Sequence, residues 1–463
     1  MNVPTSRRPA LVLAICCASI VVVVMDISIV TVALPSIRRD LGASVSGLQW
    51  TVDAYTLVLA GFLVLAGSAA DRFGRKRVFQ CGLALFGLGS LLCSLAPGIG
   101  WLIAARAVQA AGGTMLNPVA MAIVATTFPV PAERARAIGV FGSMSGLALA
   151  LGPILGGVLV DAFGWRAVFW VNVPIIAAAL VATALFVPES RAPRARRFDP
   201  VGQVLVVVVL GSVVYALIEA RSLGWTSPEI LGLLALAGLG VLGLLACEPR
   251  RADPLLELRL FRSIAFSSAI LMALLALCGF GIFLFTATQY LQDVRGMTAL
   301  AAGLYLLPVG LLVLVLSPRT GRLVGTRGPR GPLVVAGAAL TAGGAAAAAW
   351  LGPATPLPVV LATFVLFGVF LGTVNPPITN TAVSGMPASM AGLAASLASS
   401  GRQTGTTLGV ALSGLGHGVW WLVAGLGAGL LALALLGTGR RAAATARRAA
   451  GLFDELSLPR PTG

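Results

Sequence analysis

Two aspartates and one arginine stand where side chains of their kind are rare. Asp26, Asp53 and Arg106 each interrupt a run of apolar residues, and a central aspartate in such a run costs about 2.5–3.5 kcal/mol to insert into a membrane. Counted from Leu34, Leu48 and Trp101 at the ends of their runs, the three sit about 12, 8 and 8 Å deep at 1.5 Å per residue. They share one layer. A carboxylate there can pair with the guanidinium or, unpaired and desolvated, take a proton, and coupling to a proton gradient needs that choice. Two plainer readings stay open: Asp53 reaches the interface, or Asp26 and Arg106 form a static pair that braces the structure.

Other chemistries lack their residues. A nucleotide-driven pump needs G-x-x-x-x-G-K-[ST] to cradle phosphates, and Lys76, the only lysine, is followed by Arg77. His417 is the only histidine, which excludes HExxH sites and histidine triads; it reads as a turn residue. The six cysteines show no ligand spacing, so neither zinc nor disulfides are expected. No metal, cofactor or catalytic residue is expected, and a proton gradient is the energy source. A lipid-modifying enzyme would need a loop cluster of acids or histidines, and a cation channel is opposed by the arginine layer.

The elements that must position these residues are membrane spans. With 58% hydrophobic and 10% charged residues in 463 and a mean hydropathy of +0.96, the chain lies far outside soluble composition. About fourteen apolar segments are long enough to cross a hydrocarbon layer. Of 32 basic residues, 25 fall in alternate connections, starting with Arg7 and Arg8. The positive-inside rule then places both termini in the cytoplasm of a multi-pass plasma-membrane protein, and it accounts for the net charge of +16 without nucleic acid.

After the second span, Gly67, Asp71, Arg72, Gly74 and Arg75 combine turn glycines with an acid placed to meet the next helix N-terminus, a loop able to latch two bundles. Gly321, Gly325, Gly328 and Arg330 repeat its spacing without the acid. The expected fold is therefore all-α and two-bundled: 1–190 a six-helix bundle, 191–255 two inserted spans, 256–437 a second six-helix bundle and 438–463 a basic tail. In the fifth span, Gly142, Gly146, Gly152, Pro153, Gly156 and Gly157 allow close helix contact and a kink.

Several motifs, in order, resemble the major facilitator superfamily, and within it the fourteen-span drug:proton antiporters of the EmrB/QacA type. They are Met25-Asp26 to Pro35, Gly67 to Arg77, Arg106 with Gln109, Gly112 and Gly113, Gly146 with Gly152-Pro153 and Gly156-Gly157, and Trp165-Arg166 to Asn172-Val-Pro174. Ala110 departs from a usual glycine, and Gly416-His417-Gly418 is shorter than the usual outer loop.

The resemblance implies a monomeric, proton-driven exporter of amphiphilic, preferentially cationic molecules. Asp26, Asp53 and Arg106 would couple protons, Gly67, Asp71, Arg72, Gly74 and Arg75 would form a cytoplasmic gate, and the fifth-span glycines would be the antiporter motif. Tyr55, Gln109, Phe283, Phe285, Tyr290, Asn375 and Arg402 are candidates for the substrate cavity. Proton-coupled uptake of a small metabolite is the alternative, opposed only by the glycine motif.

Overall fold

The computed structural model describes residues 9–191, 199–251, 257–384, 386 and 388–457. Arg7, Arg8, Arg194, Arg196, Arg197 and Arg460, counted above among the basic connections, lie outside the described residues. So does the His417 side chain.

The chain folds as α1 (Pro9–Leu41), α2 (Val45–Phe73), α3 (Arg75–Ser94), α4 (Ile99–Thr127), α5 (Pro131–Phe163), α6 (Ala167–Trp170) and α7 (Asn172–Phe186). Next come α8 (Pro200–Leu223), α9 (Pro228–Cys247), α10 (Ile264–Gln289), α11 (Ala299–Arg327), α12 (Arg330–Trp350), α13 (Leu357–Val383), α14 (Ala388–Leu412), α15 (Val419–Gly437) and α16 (Arg440–Ser457). No strand occurs among the described residues. Helix starts follow local chemistry: the Ser44 hydroxyl accepts from Gly47 N–H at 3.1 Å, and Asp199 caps α8 through Gly202 N–H at 3.0 Å, each satisfying a donor with no partner inside the helix.

Thirteen segments among the described residues are long and apolar enough to cross a membrane. The remaining expected span, the thirteenth in chain order, coincides with α14, which is 25 residues long but less apolar because of the polar stretch 399–407. It needs no apolar exterior, because α10, α13, α2 and α8 pack around it. The basic tail is, over its described part, the helix α16, whose Thr445 hydroxyl accepts from Ile264 N–H at the start of α10 at 3.1 Å.

Helices α1 to α7 pack on one another, α10 to α15 do the same, and the α8–α9 pair leans on α2 and α14 through α8. Successive spans alternate in direction, so the α2–α3 and α11–α12 turns share one face, here called the arginine-rich face. Gly74 (φ +111°) and Gly328 (φ +81°) make these two turns, a backbone region that side chains with a Cβ rarely adopt. Gly67 instead lies within α2.

The two helix groups meet over the half of their length toward the opposite face. There α5 packs on α11, with a Cβ on Gly157 falling 2.5 Å from Leu300 Cα and one on Gly303 overlapping the Pro153 carbonyl. Asp161, at the end of α5, caps α11 by accepting from Ala299 N–H at 3.2 Å and Leu300 N–H at 2.9 Å. Gln49 of α2 donates to the carbonyls of Val410 and Ala411 at the end of α14, both at 2.9 Å. Met25, Ile29, Phe285, Ala299 and Val410 share one apolar cluster across this seam. Toward the arginine-rich face, Gly139 and Gly142 of α5 and Gly321 and Gly325 of α11 have open space where a Cβ would stand. The bonds that join the two groups, Gln49 to Val410, Thr407 to Thr56, Gln292 to Val32, Ala299 to Asp161 and Arg38 to Asp293, lie away from that face.

Candidate functional site

Close packing of α3 on α4 builds the first polar cluster. A Cβ on Gly89 would overlap the Gln109 backbone, and one on Gly112 that of Phe86; their absence lets Ser90 reach Gln109. On α4, Arg106 and Gln109 are three residues apart and so share a face. Arg106 ion-pairs with Asp26 Oδ2 of α1 and also donates to Gln109 Oε1 at 2.6 Å and to the Thr51 carbonyl at 3.1 Å. Gln109 Nε2 donates to Asp26 Oδ1 at 2.7 Å and Ser90 Oγ at 2.8 Å. Asn172 Nδ2 of α7 donates to Asp26 Oδ1 at 3.2 Å.

The cluster is closed to solvent, with Asp26 and Arg106 each 1% exposed. The Tyr55 ring lies 4.2 Å from the Arg106 guanidinium carbon, adding a face that favours a cation. Both charges are therefore neutralised and their hydrogen-bonding groups largely occupied, as a buried pair requires. Ser90 and Asn172 were not among the expected site residues, although a lone asparagine at the start of an apolar run was the available signal.

Asp53 stands apart from this cluster. Gln49, Asp53 and Thr56 share one face of α2 at helical spacing, and that face meets α14. Asp53 is wholly buried; Oδ1 accepts from Thr56 at 3.3 Å, while Oδ2 has no partner. Thr56 and Thr407 of α14 share a 2.9 Å hydrogen bond. The unpaired carboxyl thus sits in the seam between the two helix groups, and Arg106 has no ion pair with it.

The expected cavity residues separate into two sets. Tyr55 and Gln109 belong to the closed cluster just described. Phe283 stacks on Phe367 at 4.1 Å and meets Phe364 edge-on at 5.2 Å, inside the second group's core. Phe285 packs in the seam, and the Tyr290 hydroxyl donates to the Gly352 carbonyl at 2.9 Å. Arg402 and Asn375, by contrast, are half-buried. Arg402 donates to Thr379 Oγ1 at 3.2 Å and Ser399 Oγ at 2.6 Å, and Asn375 Oδ1 has no partner.

Glycines of α5 form two contacts. Gly152 and Gly156 face Ser28 and Ile29 of α1, and Gly146 and Gly157 face Leu314 and Leu300 of α11; Gly142 meets nothing. Pro153 lies within the continuous α5, its carbonyl against Gly303. At the arginine-rich face, Asp71 pairs with Arg75 one turn on at 3.1 Å, and Arg72 lies over Phe73. The acid at the N-terminus of α3 is Glu189 rather than Asp71: it accepts from Lys76 N–H at 3.1 Å and lies 3.8 Å from Arg77. Every partner named for this loop belongs to the first group.

Two packed groups of membrane-spanning helices, with an ion pair buried in one, are the build of a multi-span membrane protein. The family model of the Major Facilitator Superfamily matches residues 16–410, and the chain belongs to that superfamily. It is 37% identical over 86% of its length to "Multidrug resistance protein Stp" of Mycobacterium tuberculosis, covering 73% of that protein. It is also 37% identical over 88% of its length to "Tetracenomycin C resistance and export protein" of Streptomyces glaucescens, covering 76%. Among solved structures, the crystal structure of peptide transporter POT in complex with sulfate superposes with a TM-score of 0.69 over 95% of both chains at 16% identity, a likeness of fold.

Proposed function

We propose that the chain exports amphiphilic small molecules from the cell in exchange for protons, as a fourteen-span antiporter of the EmrB/QacA type with both termini and the arginine-rich face in the cytoplasm. The names of its relatives, a multidrug resistance protein and an antibiotic export protein, support export. The distribution of basic residues supports the orientation. The expected activity is transport and not catalysis, with the protein working as a monomer in the plasma membrane.

One observation carries the coupling: Asp53 is a wholly buried carboxyl with an unpartnered oxygen, set in a seam that must part. When the groups separate at the opposite face, the Thr56–Thr407 and Gln49–Val410 bonds break and water reaches Asp53. A proton taken there removes the cost of sealing a charge when the seam recloses. The Asp26–Arg106 cluster serves as the fixed charge around which the first group is built, and the α5–α11 glycines as the rocking surface. Each proton crossing 100 mV contributes about 2.3 kcal/mol, enough to concentrate cargo about fiftyfold.

The test is gradient-driven uptake of an amphiphilic dye, in a cationic and an anionic form, into inverted vesicles. Asp53→Asn is expected to abolish gradient-driven uptake while leaving downhill exchange of the dye measurable. Uptake equal to wild type in Asp53→Asn would end this assignment.

A further inference from the structure

The second helix group holds a cation that the fold leaves without a counter-charge. Arg402 stands fourteen residues into the 25-residue helix α14, at mid-membrane depth. Both of its partners, Thr379 and Ser399, are neutral hydroxyls, and no carboxylate pairs with it among the described residues. A guanidinium offers five N–H donors, so three remain after these two bonds. Carrying an unpaired charge at this depth is costly, and the sequence elsewhere shows the usual remedy, since Arg106 has Asp26.

The surroundings indicate what completes the site. Helix α14 is enclosed by α10 on its glycine side, where Gly401, Gly405 and Gly409 pack on Ile270, Leu274 and Cys278. Thr407 faces α2, and Leu408 and Ala411 pack with Val214 and Ile218 of α8. Arg402 points toward α13, and Arg402, Thr379 and Asn375 all keep part of their surface exposed. Along α13, Thr379 holds Arg402 and donates back to the Asn375 carbonyl at 3.2 Å. Asn375, one turn of about 5.4 Å away, points an unpartnered Oδ1 atom. The residue that holds the forked cation and the residue with the buried, unpartnered acceptor thus lie one helical turn apart on α13.

Resting on the export reading above, we infer that Arg402 and Asn375 form the cargo's polar subsite, and that it takes an oxyanion: an amphiphile bearing a carboxylate or ionised phenol, with a hydroxyl or N–H donor beside it. The planar fork matches a carboxylate in bidentate fashion, and Asn375 accepts the neighbouring donor. This reverses the preference for cationic cargo. Asp26 is engaged by its own cluster and Asp53 is sealed in the seam, so neither acid is exposed. The cargo acid supplies the charge the protein omits.

The test uses the full chain, purified in detergent, with pyrenebutyrate and its methyl ester as probes that differ in one charge. Wild type is expected to bind the acid at least tenfold more tightly than the ester. Arg402→Gln removes that preference, Arg402→Lys retains part of it because it keeps charge without the fork, and ester affinity changes less than threefold in both. Equal binding of acid and ester by wild type, or an acid preference that survives Arg402→Gln, overturns the subsite. Should Arg402→Gln fail to fold, the wild-type pair of probes together with Asn375→Leu, expected to weaken binding of a hydroxylated pyrene acid but not of pyrenebutyrate, decides the matter. Failure is separable from that of the export reading: loss of acid preference with intact gradient-driven dye transport removes only the subsite, and acid preference without gradient-driven transport removes only the coupling.

Discussion

The two helix groups carry one interior arginine each and treat it in opposite ways. In the first, Arg106 is 1% exposed and meets a carboxylate, an amide, a carbonyl and an aromatic face, so its charge is settled within the fold. In the second, Arg402 is half-buried and meets two hydroxyls, so its charge has no counter-charge among the described residues. The closed cluster costs the molecule nothing further once folded, because the pair neutralises itself. The other leaves a demand for a counter-charge that the proposed oxyanion cargo would meet. The two groups thus resemble each other in helix packing and differ in how they treat an interior arginine, one settling its charge within the fold and the other meeting it with neutral hydroxyls alone.

The sharpest way to break this contrast is to remove each arginine in turn. Arg106→Ala leaves Asp26 buried and unpaired, and an expected loss of about 3–5 kcal/mol would show as a large drop in thermal unfolding temperature. Arg402→Ala removes an uncompensated charge along with two hydrogen bonds, and stability is expected to change by less than about 1 kcal/mol. Equal losses in the two variants would end the distinction.

A second comparison sets the packed against the open stretch of α11. Gly303→Val adds bulk where a Cβ already overlaps the Pro153 carbonyl, and overpacking of about 1–3 kcal/mol shifts the population toward separation at that end by about 5- to 150-fold. Maleimide labelling of Ala301→Cys, in a Cys81→Ser background, reads that shift. Gly321→Val, facing open space, leaves the labelling unchanged.

Smaller effects refine the picture. Thr407→Val deletes one bond across the seam, worth about 0.5–1.5 kcal/mol, and is expected to raise the same labelling about 2- to 10-fold. Glu189→Gln weakens the anion at the α3 N-terminus, a contribution of about 0.3–1 kcal/mol. Asp71→Asn, which touches only Arg75 one turn away, costs about half that or less. If Asp71→Asn proved the more damaging in unfolding measurements, the assignment of the two acids would be reversed.

Much of the architecture was legible because length, hydropathy and arginine spacing are one-dimensional quantities. The superfamily followed from motifs whose glycines and charges have fixed separations. Depth within the bilayer was equally accessible, since it is a residue count, and that count put Asp26 and Arg106 in one layer. Azimuth was not. Asp53 lies as deep as Arg106, yet two positions away from Thr51, whose carbonyl Arg106 binds, it faces α14 instead. Which helix lies across each face depends on tertiary order, and no periodicity in α2 reports it. The same gap explains Phe283, where an aromatic in a span can line a cavity or fill a core, and only the stacked Phe367 decides. Glu189 escaped notice because its helix-capping partner is more than a hundred positions away.

Asp161 gives the closure a mechanical character of its own. Its carboxylate belongs to one helix group, but the amides it satisfies, those of Ala299 and Leu300, begin a helix in the other. Parting the groups at that end therefore strips these two amides of their acceptor, leaving α11 only its own Thr298 cap, and rejoining them restores it. The bond acts as a detent: it gives the molecule a defined stop at one extreme of its stroke, so that the motion proceeds by clicks between seated positions instead of by continuous drift.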